Sequence, residues 1–569
     1  MEEKDVLLQE KRLLQRNKWC YSVGGIGRDM IYQLIATFFI TYIQYSGLGL
    51  SAAQFSVIGI LLVVGRIWDA VNDPFMGSIV ENTHSRWGKF RPWILLGAVL
   101  SGIVIIVMFN FRAPAQWLGG WGYVIFFFVI YLFWEAAFTL NDIPYWSLIP
   151  ALSKNKKDRD VITTMVVVFA GIGAFAGNAI ISLTTVGNMV KGYSLISITF
   201  VLIFIACSLL TALGVKEPAE EYDKNAEKVT LPKMFKVIAH NDQLLWASLA
   251  LMLYSIGSAL LTALGYNWFY LEIGYNGTLT MIFIVSFAVS NILIQSLYAA
   301  LAKKFTRKQL LFYSFLCLAF GYIMLLTLGW WGNFLPVNIY TACIFGFFVF
   351  GGQAIFYMVI IVNMTNTIEY NEFRTGERNE AIVFSLRPFV AKFSSALEGL
   401  VVILVLVLSG VYGMSQNISE LENQLSRFNE MSWEERQDFY DNVMAGQTVF
   451  DDSDVEADQI AVLYTALQDP DNEVFVFNPA GSDDGIADGS VTGMSIDKAA
   501  DAVFMNNAVG ARGLRMRLIL RLAITIVPIL LIGGSALLLN KKFIIDEIYY
   551  EKITAETKKR REAASAPQV

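Results

Sequence analysis

The sequence predicts an all-α membrane protein with twelve transmembrane helices arranged in two six-helix bundles. Three observations predict this fold: the composition, the number and length of the apolar stretches, and the distribution of Lys and Arg between the loops. Hydrophobic residues make up 55% of the 569-residue chain, charged residues make up 16%, and the mean hydropathy is +0.50. Soluble globular domains average about 25% charged residues, so this composition favours a membrane protein.

Apolar stretches that are long enough to cross a bilayer as helices recur along the chain. About 20 apolar residues span a hydrocarbon core roughly 30 Å thick. An N-terminal bundle over 19–214 is predicted from stretches at 19–45, 54–80, 93–112, 120–149, 161–187 and 193–214. A C-terminal bundle over 243–412 and 514–540 is predicted from stretches at 243–271, 278–301, 309–331, 337–366, 382–412 and 516–540. The charged segment 215–242 is the predicted linker, and two helical bundles are the layout expected of a transporter.

The basic residues predict the orientation of these spans. Lys and Arg cluster in alternate loops and in both terminal segments, whereas the other short loops carry almost none. Because positively charged loops stay on the cytoplasmic side, the segments 1–18 and 541–569 are both predicted to be cytoplasmic. The first eighteen residues contain no apolar signal-peptide core, so no cleavable signal is expected.

An acidic insert at 413–513 separates the last two predicted spans. Residues 414–506 contain 20 Asp and Glu but only 3 Lys and Arg, and the predicted orientation places this segment outside the cell. Ser432 and Glu435 form a predicted capping box at a helix start. A solvated lobe or a partly disordered loop is the simplest interpretation; a calcium site at 451–456 is the alternative, although the segment lacks the spacing of an EF-hand loop.

Four arginines follow the acidic segment on the predicted outer side and so depart from the charge rule. We expect them to form an interfacial basic helix that docks against the acidic lobe. These residues are Arg512, Arg515, Arg517 and Arg521.

Two aspartates on the second predicted span indicate an ion path. Asp69 and Asp73 are four residues apart, so both carboxylates lie on one face of the helix. A carboxylate at membrane depth is costly and is usually part of an ion or substrate path. The alternative is that Arg66, one turn earlier, simply neutralises Asp69. The pair therefore predicts transport that uses a bound cation.

The fourth and first predicted spans carry further polar residues at membrane depth. The fourth span has four of them on one stripe at positions i, i+4, i+7 and i+11: Glu135, Thr139, Asp142 and Trp146. On the first span Asp29 lies beside Arg28. A hard cation needs several oxygen ligands, and a sugar needs carboxylates for its hydroxyls and an aromatic face for its C–H surface. The alternatives are a surface ion pair for Asp29, an interfacial position for Trp146, and a structural role for Glu135 as the partner of a buried base.

The eleventh predicted span carries three ionisable residues. Arg387 and Lys392 are cations, and Glu398 follows Lys392 by about a turn and a half. The alternatives are a charge network among the three, or two cations that face the acids of the first bundle across a cavity and hold substrate between opposite charges.

Three motifs resemble those of the glycoside-pentoside-hexuronide:cation symporters. The first runs over residues 69–77 with the loop 85–93, the second over residues 142–150, and the third over residues 369–378. They occur in the family's order, and the resemblance covers nearly the whole chain except the insert. It implies a major-facilitator fold and a location in the cell membrane of a bacterium.

The resemblance also implies roles for individual residues. A cation such as Na⁺ is expected at the positions of Asp69, Asn72, Asp73 and Thr139, with the two aspartates as its charged ligands. Substrate is expected at Arg28, Asp29, Asp142 and Trp146, with Lys392 nearby. In a well-known member of the family, an arginine on helix five belongs to the sugar site. In this sequence Val167 aligns with that arginine. We hypothesise that Arg387 supplies the missing cation, for example to a substrate carboxylate as in a glucuronide.

Together these observations predict a secondary symporter, not an enzyme, that couples inward movement of Na⁺, H⁺ or Li⁺ to uptake of a sugar or glycoside. Its expected partners are the sugar, the coupling cation and the lipid bilayer; no cofactor and no nucleic acid are expected. A carrier of lipids or amphiphiles on the same fold is the alternative, for which an apolar slot between the fifth and eighth spans would be evidence. A glycosyltransferase, indicated only by Asp452, Ser453 and Asp454, and a non-transporting sensor are the remaining alternatives.

Overall fold

The computed structural model describes residues 2–83, 85–153, 156–217, 241–376, 380–447, 457–469, 473–482, 484–508 and 510–565. Within these ranges the chain is almost entirely helical. The predicted calcium segment 451–456 with its Asp-x-Asp triplet lies outside the described residues, as does 218–240 of the predicted linker.

The first bundle is built from eight helices. They are α1 (Glu2–Ala36), α2 (Phe39–Tyr45), α3 (Ala52–Glu81), α4 (Arg91–Asn110), α5 (Ala113–Trp117), α6 (Gly119–Leu152), α7 (Lys156–Thr185) and α8 (Met189–Gly214). Residues 2–18 of the predicted cytoplasmic segment form the first part of α1. The first predicted span is not one continuous helix, because α1 ends at Ala36 and α2 begins at Phe39.

The second bundle contains six long helices, and one short helix follows it. The long helices are α9 (Asp242–Glu272), α10 (Gly277–Leu301), α11 (Arg307–Thr327), α12 (Ile339–Thr375), α13 (Glu380–Ser409) and α18 (Gly510–Lys542). The predicted tail contains α19 (Glu547–Ser565).

The acidic insert folds into a lobe between α13 and α18. Its elements are α14 (Val411–Phe428), α15 (Trp433–Met444), α16 (Ala457–Leu467), β1 (Phe475–Phe477), β2 (Val491–Met494) and α17 (Ile496–Ala508), and the two strands pair antiparallel. The predicted capping box is present, since Ser432 and Glu435 cap the start of α15. The helix α14, the longest of the described lobe residues, was not predicted from the sequence.

The long helices match the predicted spans. Among the described residues, eleven helices are long and apolar enough to cross a membrane. The remaining predicted span belongs to α1, which packs against α7 and α8 inside the first bundle. We call the side of the bundles that carries the lobe the insert face, and the side where α1 begins and α18 ends the terminal face.

Close packing of α1 on α7 depends on Gly173. A Cβ atom at this position would overlap the backbone carbonyl of Ile26 in α1, whereas a Cβ at Gly171, two residues earlier in α7, would have no atom within 4 Å. Ile26 lies two residues before Arg28, so this contact helps to fix the polar residues of α1.

The variant Gly173→Ala is therefore expected to lower the free energy of unfolding by about 1–3 kcal/mol, since overpacking of a tight contact typically costs this much. Gly171→Ala is the matched control and should leave stability unchanged or raise it by up to about 1 kcal/mol, because Ala favours helix over Gly. Thermal unfolding of the two purified variants in detergent measures the difference. Equal melting temperatures would contradict the role of Gly173.

The expected docking of Arg521 against the acidic lobe is wrong. Its guanidinium forms a bidentate pair with Glu272 at the end of α9, with Nε–Oε1 and Nη2–Oε2 distances of 2.7 and 2.8 Å. It also donates to the carbonyls of Leu326 and Leu328 at the C-terminal end of α11. Arg521 thus ties α18 to the C-terminal ends of α9 and α11, because a buried guanidinium needs a carboxylate and several acceptors to offset its lost hydration.

The lobe joins the two bundles at the insert face. Glu422 of α14 accepts a hydrogen bond from the Met189 amide of the first bundle (2.8 Å) and another from the Tyr275 hydroxyl of the second (2.6 Å). Tyr412 of α14 donates to the carbonyl of Leu50 in the first bundle (2.6 Å). Burial raises the pKa of the Glu422 carboxyl to about 7. In the described residues, α14 of the lobe therefore forms a cap that contacts both bundles.

Candidate functional site

The two aspartates of α3 meet residues from α6 and α13 at mid-depth. The hydroxyl of Thr139 donates to Asp69 Oδ1 at 2.9 Å and lies 3.5 Å from Asp73 Oδ1. Lys392 Nζ bridges the carboxylates, 2.8 Å from Asp69 Oδ2 and 2.6 Å from Asp73 Oδ2. Asp69 is buried, and Asp73 keeps about a third of its side chain exposed. We call these four residues the carboxylate cluster.

The packing of α3 on α6 brings the cluster together. Gly65, one turn before Asp69, allows this approach, because a Cβ atom there would overlap the ring of Tyr131 on α6. Thr139 lies two turns after Tyr131 on the same face of α6. The prediction that Asp69, Asp73 and Thr139 lie close together agrees with this geometry.

Asn72 and Lys392 differ from the expected arrangement. Asn72 lies on the same turn of α3, but among the described residues its side chain has no hydrogen bond to the other cluster members. Lys392 was expected among the substrate residues, and instead its ammonium lies between the two carboxylates. Two neighbouring carboxylates at membrane depth need a compensating charge, and the nearest flexible cation of the other bundle supplies it.

Arg66 does not neutralise Asp69. Its Nη1 atom lies 3.2 Å from Glu135 Oε1 on α6, and both side chains are almost completely buried. The interpretation of Glu135 as the structural partner of a buried base is therefore the one that the geometry supports. Because Arg66 pairs with Glu135, Asp69 has Thr139 and Lys392 as its partners.

The second group of predicted residues lies nearer the terminal face. Arg28 Nη1 is 2.8 Å from Asp29 Oδ2, and Arg28 Nε donates to Asp142 Oδ1 at 2.9 Å. The guanidinium carbon lies 4.9 Å from the centre of the Trp146 ring. Arg28 is 8% exposed, so it does not form a surface pair with Asp29. The structure thus brings Arg28, Asp29, Asp142 and Trp146 together in what we call the arginine cluster.

This arginine cluster is open to solvent on one side. Asp29 and Asp142 keep about a quarter of their side chains exposed, and Trp146 is 36% exposed. Hydrogen bonds join the two bundles on the insert face, such as the bond from Gln44 to Asn267 at 2.7 Å, and the ion pairs of Lys392 join them at mid-depth. The arginine cluster lies on the terminal side of both sets of contacts.

Arg387 lies apart from both clusters. Its Nη2 atom donates to the hydroxyl of Tyr357 on α12 at 2.5 Å, and its guanidinium lies 5.7 Å from the centre of that ring. The alternative of a charge network among Arg387, Lys392 and Glu398 is not formed among the described residues. The sequence analysis did not single out Tyr357, since one tyrosine in an apolar span gives no periodic signal.

An apolar slot between the fifth and eighth spans would support an amphiphile carrier, but these spans pack against each other in their insert-face halves. The fifth and eighth spans, α7 and α10, contact each other directly: Phe175 packs edge-on against Phe287 with ring centres 5.6 Å apart. A Cβ atom at Gly277 of α10 would lie within 2.5 Å of the Ser182 carbonyl of α7.

The chain matches known transporters over most of its length. The family described as MFS/sugar transport protein matches residues 20–428. A lactose permease of Lactobacillus helveticus is 28% identical over 457 residues, which cover 74% of this chain and 67% of that protein. A glucuronide carrier protein homolog of Escherichia coli (strain K12) is 25% identical over 403 residues, which cover 68% of this chain and 83% of that protein.

The chain spans about two thirds of the length of the lactose and raffinose carriers that it matches, from 62% to 67%. The resemblance drawn from the sequence motifs is confirmed by these relatives.

A solved structure shows the same fold. A bacterial homolog of the human lysosomal transporter Spinster, in an inward-facing and unoccupied conformation, has a TM-score of 0.56 and 11% identity, with 94% of this chain and 98% of that chain covered. At this identity the likeness concerns the fold alone, and it confirms the prediction of a major-facilitator fold.

Proposed function

We propose that this chain, which belongs to the MFS/sugar transport protein family, is a symporter that couples movement of Na⁺ or H⁺ to uptake of a sugar or glycoside by alternating access. The family and the relatives named above are membrane transporters, so the prediction that the protein is not an enzyme is confirmed. The observation that carries the proposal is the carboxylate cluster, in which acids of one bundle are bridged by a cation of the other.

The carboxylate cluster provides a physical link between ion binding and bundle movement. Two carboxylates and one ammonium leave one negative charge, which attracts a cation. A cation bound to Asp69 and Asp73 repels Lys392 and takes over its oxygen partners. Release of Lys392 removes an ion pair between the bundles at mid-depth, so the ion changes the relative stability of two bundle arrangements, as a coupling ligand must.

The arginine cluster provides the sugar site. The Asp29 and Asp142 carboxylates accept hydrogen bonds from hydroxyl groups, and the Trp146 face packs on the C–H surface of a sugar ring. Thr139 and Asp142 are less than one turn apart on α6, so an ion that fixes Thr139 also fixes Asp142. Such coupling between two ligands is typically about 1–3 kcal/mol. Each positive charge that moves inward along the membrane potential adds roughly 2.3 kcal/mol per 100 mV.

Uptake of labelled sugars into proteoliposomes tests the proposal. A panel of glycosides, pentosides and glucuronides is offered with an imposed Na⁺ gradient, an imposed proton gradient, or neither. We expect at least one sugar to accumulate above its external concentration only when an ion gradient is present. Equilibration without accumulation for every sugar under both gradients would contradict symport.

Arg387 provides a test of substrate class. If the Arg387 guanidinium binds a substrate carboxylate, Arg387→Gln should lower the affinity for glucuronides roughly 10- to 100-fold, since a hydrogen bond to a charged group contributes about 1.5–3 kcal/mol. Affinity for neutral glycosides should be unchanged. Tyr357→Phe removes the hydroxyl that holds Arg387 and should give a smaller loss with the same preference. Unchanged uptake of the true substrate by Arg387→Gln would reject this role.

A further inference from the structure

A cavity with several polar side chains in its wall lies between the bundles on the insert side of the carboxylate cluster. It is lined by α1, α2, α3 and α6 of the first bundle and by α9 and α13 of the second. Its polar lining includes Thr37, Thr41, Gln44, Arg66, Asn267 and Glu398. The hydrogen bond between Gln44 and Asn267 joins its two walls.

Glu398 enters this cavity without a partner. Among the described residues its carboxylate has neither a hydrogen bond nor an ion pair. It follows Lys392 by six residues on α13, which places it about 9 Å nearer the insert face. Lys392 is occupied by Asp69 and Asp73, and Arg66 by Glu135. Glu398 is therefore a carboxylate at membrane depth that no cation of the described residues pairs with directly.

The charged side chains in and around the cavity have an excess of two negative charges, which two monovalent cations would neutralise. Arg66 and Lys392 contribute two positive charges, whereas Asp69, Asp73, Glu135 and Glu398 contribute four negative charges. One monovalent ion at the carboxylate cluster reduces the excess to one negative charge. An unpaired charge inside a protein is costly and is relieved when the group binds a proton or a counter-ion.

We propose that Glu398 binds a proton as a second coupling ion, in addition to the cation at Asp69 and Asp73. This inference rests on the proposed symport. The proton bonds to one carboxylate oxygen, so Glu398 changes from an anion to a neutral carboxylic acid and the charge excess disappears. A proton is the better match than a metal ion, because it needs only one oxygen, whereas a metal cation would need several oxygens in a cavity that also contains the guanidinium of Arg66.

A second observation supports a hydrogen-bond donor in this cavity. Gln44 is completely buried, its amide nitrogen donates to Asn267, and its Oε1 atom has no hydrogen-bond partner in the part of the chain that the structure describes. A buried acceptor without a donor is unfavourable. A protonated carboxyl group gains an O–H donor, so proton binding at Glu398 provides a donor in the cavity where one is missing.

The groups that face Glu398 define its titration. Arg66 of α3 and Tyr131 of α6 are the other ionisable side chains of the cavity wall in the described ranges, and Glu135 lies behind Arg66. The helices α1, α2 and α9 present uncharged threonine, glutamine and asparagine side chains. On α13 itself the nearest charge is Lys392. Among these groups Arg66 carries a positive charge, which it shares with Glu135.

Measurement of transport at a saturating sodium concentration isolates the effect of a proton gradient on sugar accumulation. Proteoliposomes contain a fixed Na⁺ gradient that saturates Asp69 and Asp73, and valinomycin with potassium clamps the membrane potential. A pH difference, acidic on the side from which the sugar enters, is then imposed. We expect the accumulation ratio of the wild-type protein to rise by up to about tenfold per pH unit, the limit for one proton per sugar. Glu398→Gln should show no such rise, while its sugar counterflow without gradients remains.

The outcomes separate this inference from the proposed function. A wild-type accumulation ratio that does not respond to the pH difference, or a Glu398→Gln response equal to wild type, would overturn the role of Glu398 and leave sodium symport intact. Absence of sodium-driven accumulation in the wild type would overturn both. If Glu398→Gln lacks counterflow, Glu398→Asp decides: a retained pH response supports proton binding at this carboxylate, and a lost response with normal sodium-driven uptake contradicts it.

Discussion

Asp73→Asn is expected to abolish cation-driven accumulation of the substrate, so that the accumulation ratio falls to about one. The amide keeps the shape of Asp73 and one oxygen but removes the charge. Lys392 then pairs with Asp69 alone, no negative charge remains to attract a cation, and a cation can no longer displace the ammonium. Loss of a charged partner of this kind costs roughly 1.5–3 kcal/mol, which weakens cation binding about 10- to 100-fold.

Sodium dependence of sugar uptake in proteoliposomes measures this effect. The matched control is Asp242→Asn, which makes the same chemical change at a 48% exposed carboxylate paired with Arg374 on the terminal face, and its sodium dependence should equal that of wild type. Counterflow of labelled sugar without gradients should persist in Asp73→Asn, because the arginine cluster is intact. An unaltered sodium dependence of Asp73→Asn would reject the cation site.

Asp142→Asn should eliminate sugar binding while sodium binding is retained. Asp142 accepts hydrogen bonds from Arg28, and in the proposed site it also accepts from substrate hydroxyls. The variant loses the charged acceptor and leaves Arg28 with Asp29 alone. Each lost charged hydrogen bond costs roughly 1.5–3 kcal/mol, so the loss of two acceptor contacts predicts an affinity reduced by about 100-fold or more.

Equilibrium binding of labelled sugar and, separately, of labelled sodium to the purified protein distinguishes this result from misfolding. Asp142→Asn should bind sodium with at most the severalfold loss expected from reduced coupling, and Asp242→Asn should bind both ligands normally. Equal sugar affinity in Asp142→Asn and wild type would exclude Asp142 from the sugar site.

The local pattern of the sequence was enough to predict which acids lie at mid-depth. Asp69 and Asp73 lie on one face because of helical spacing, and Thr139 and Asp142 lie on one stripe of α6 for the same reason. Spacing within a helix does not define which partner comes from another helix. Whether Arg66 pairs with Asp69 or with Glu135 depends on the rotation of α3 against α6, and the position of Lys392 depends on the contact between α3 and α13 across the bundle boundary.

The insert was the least predictable part. Its acidity and the cap at Ser432 were visible in the sequence, but α14 was not, because its start follows α13 after a single residue, Gly410, and the two read as one pattern. The pairing of Arg521 with Glu272 was equally hidden, since the two residues are 249 positions apart in the sequence and meet only when α9 and α18 pack together.

In the proposed transport cycle, the acidic cap opposes opening of the insert face. It is continuous with the second bundle and is hydrogen-bonded to the first bundle at Met189 and Leu50. These hydrogen bonds must therefore break each time the insert face opens. The raised pKa of Glu422 in the docked cap means that docking takes up a proton. Its contribution is complete below about pH 4.5 and is lost as the pH rises through about 7. In the proposed cycle, a lower pH therefore favours the docked cap, and a higher pH favours its separation from the first bundle.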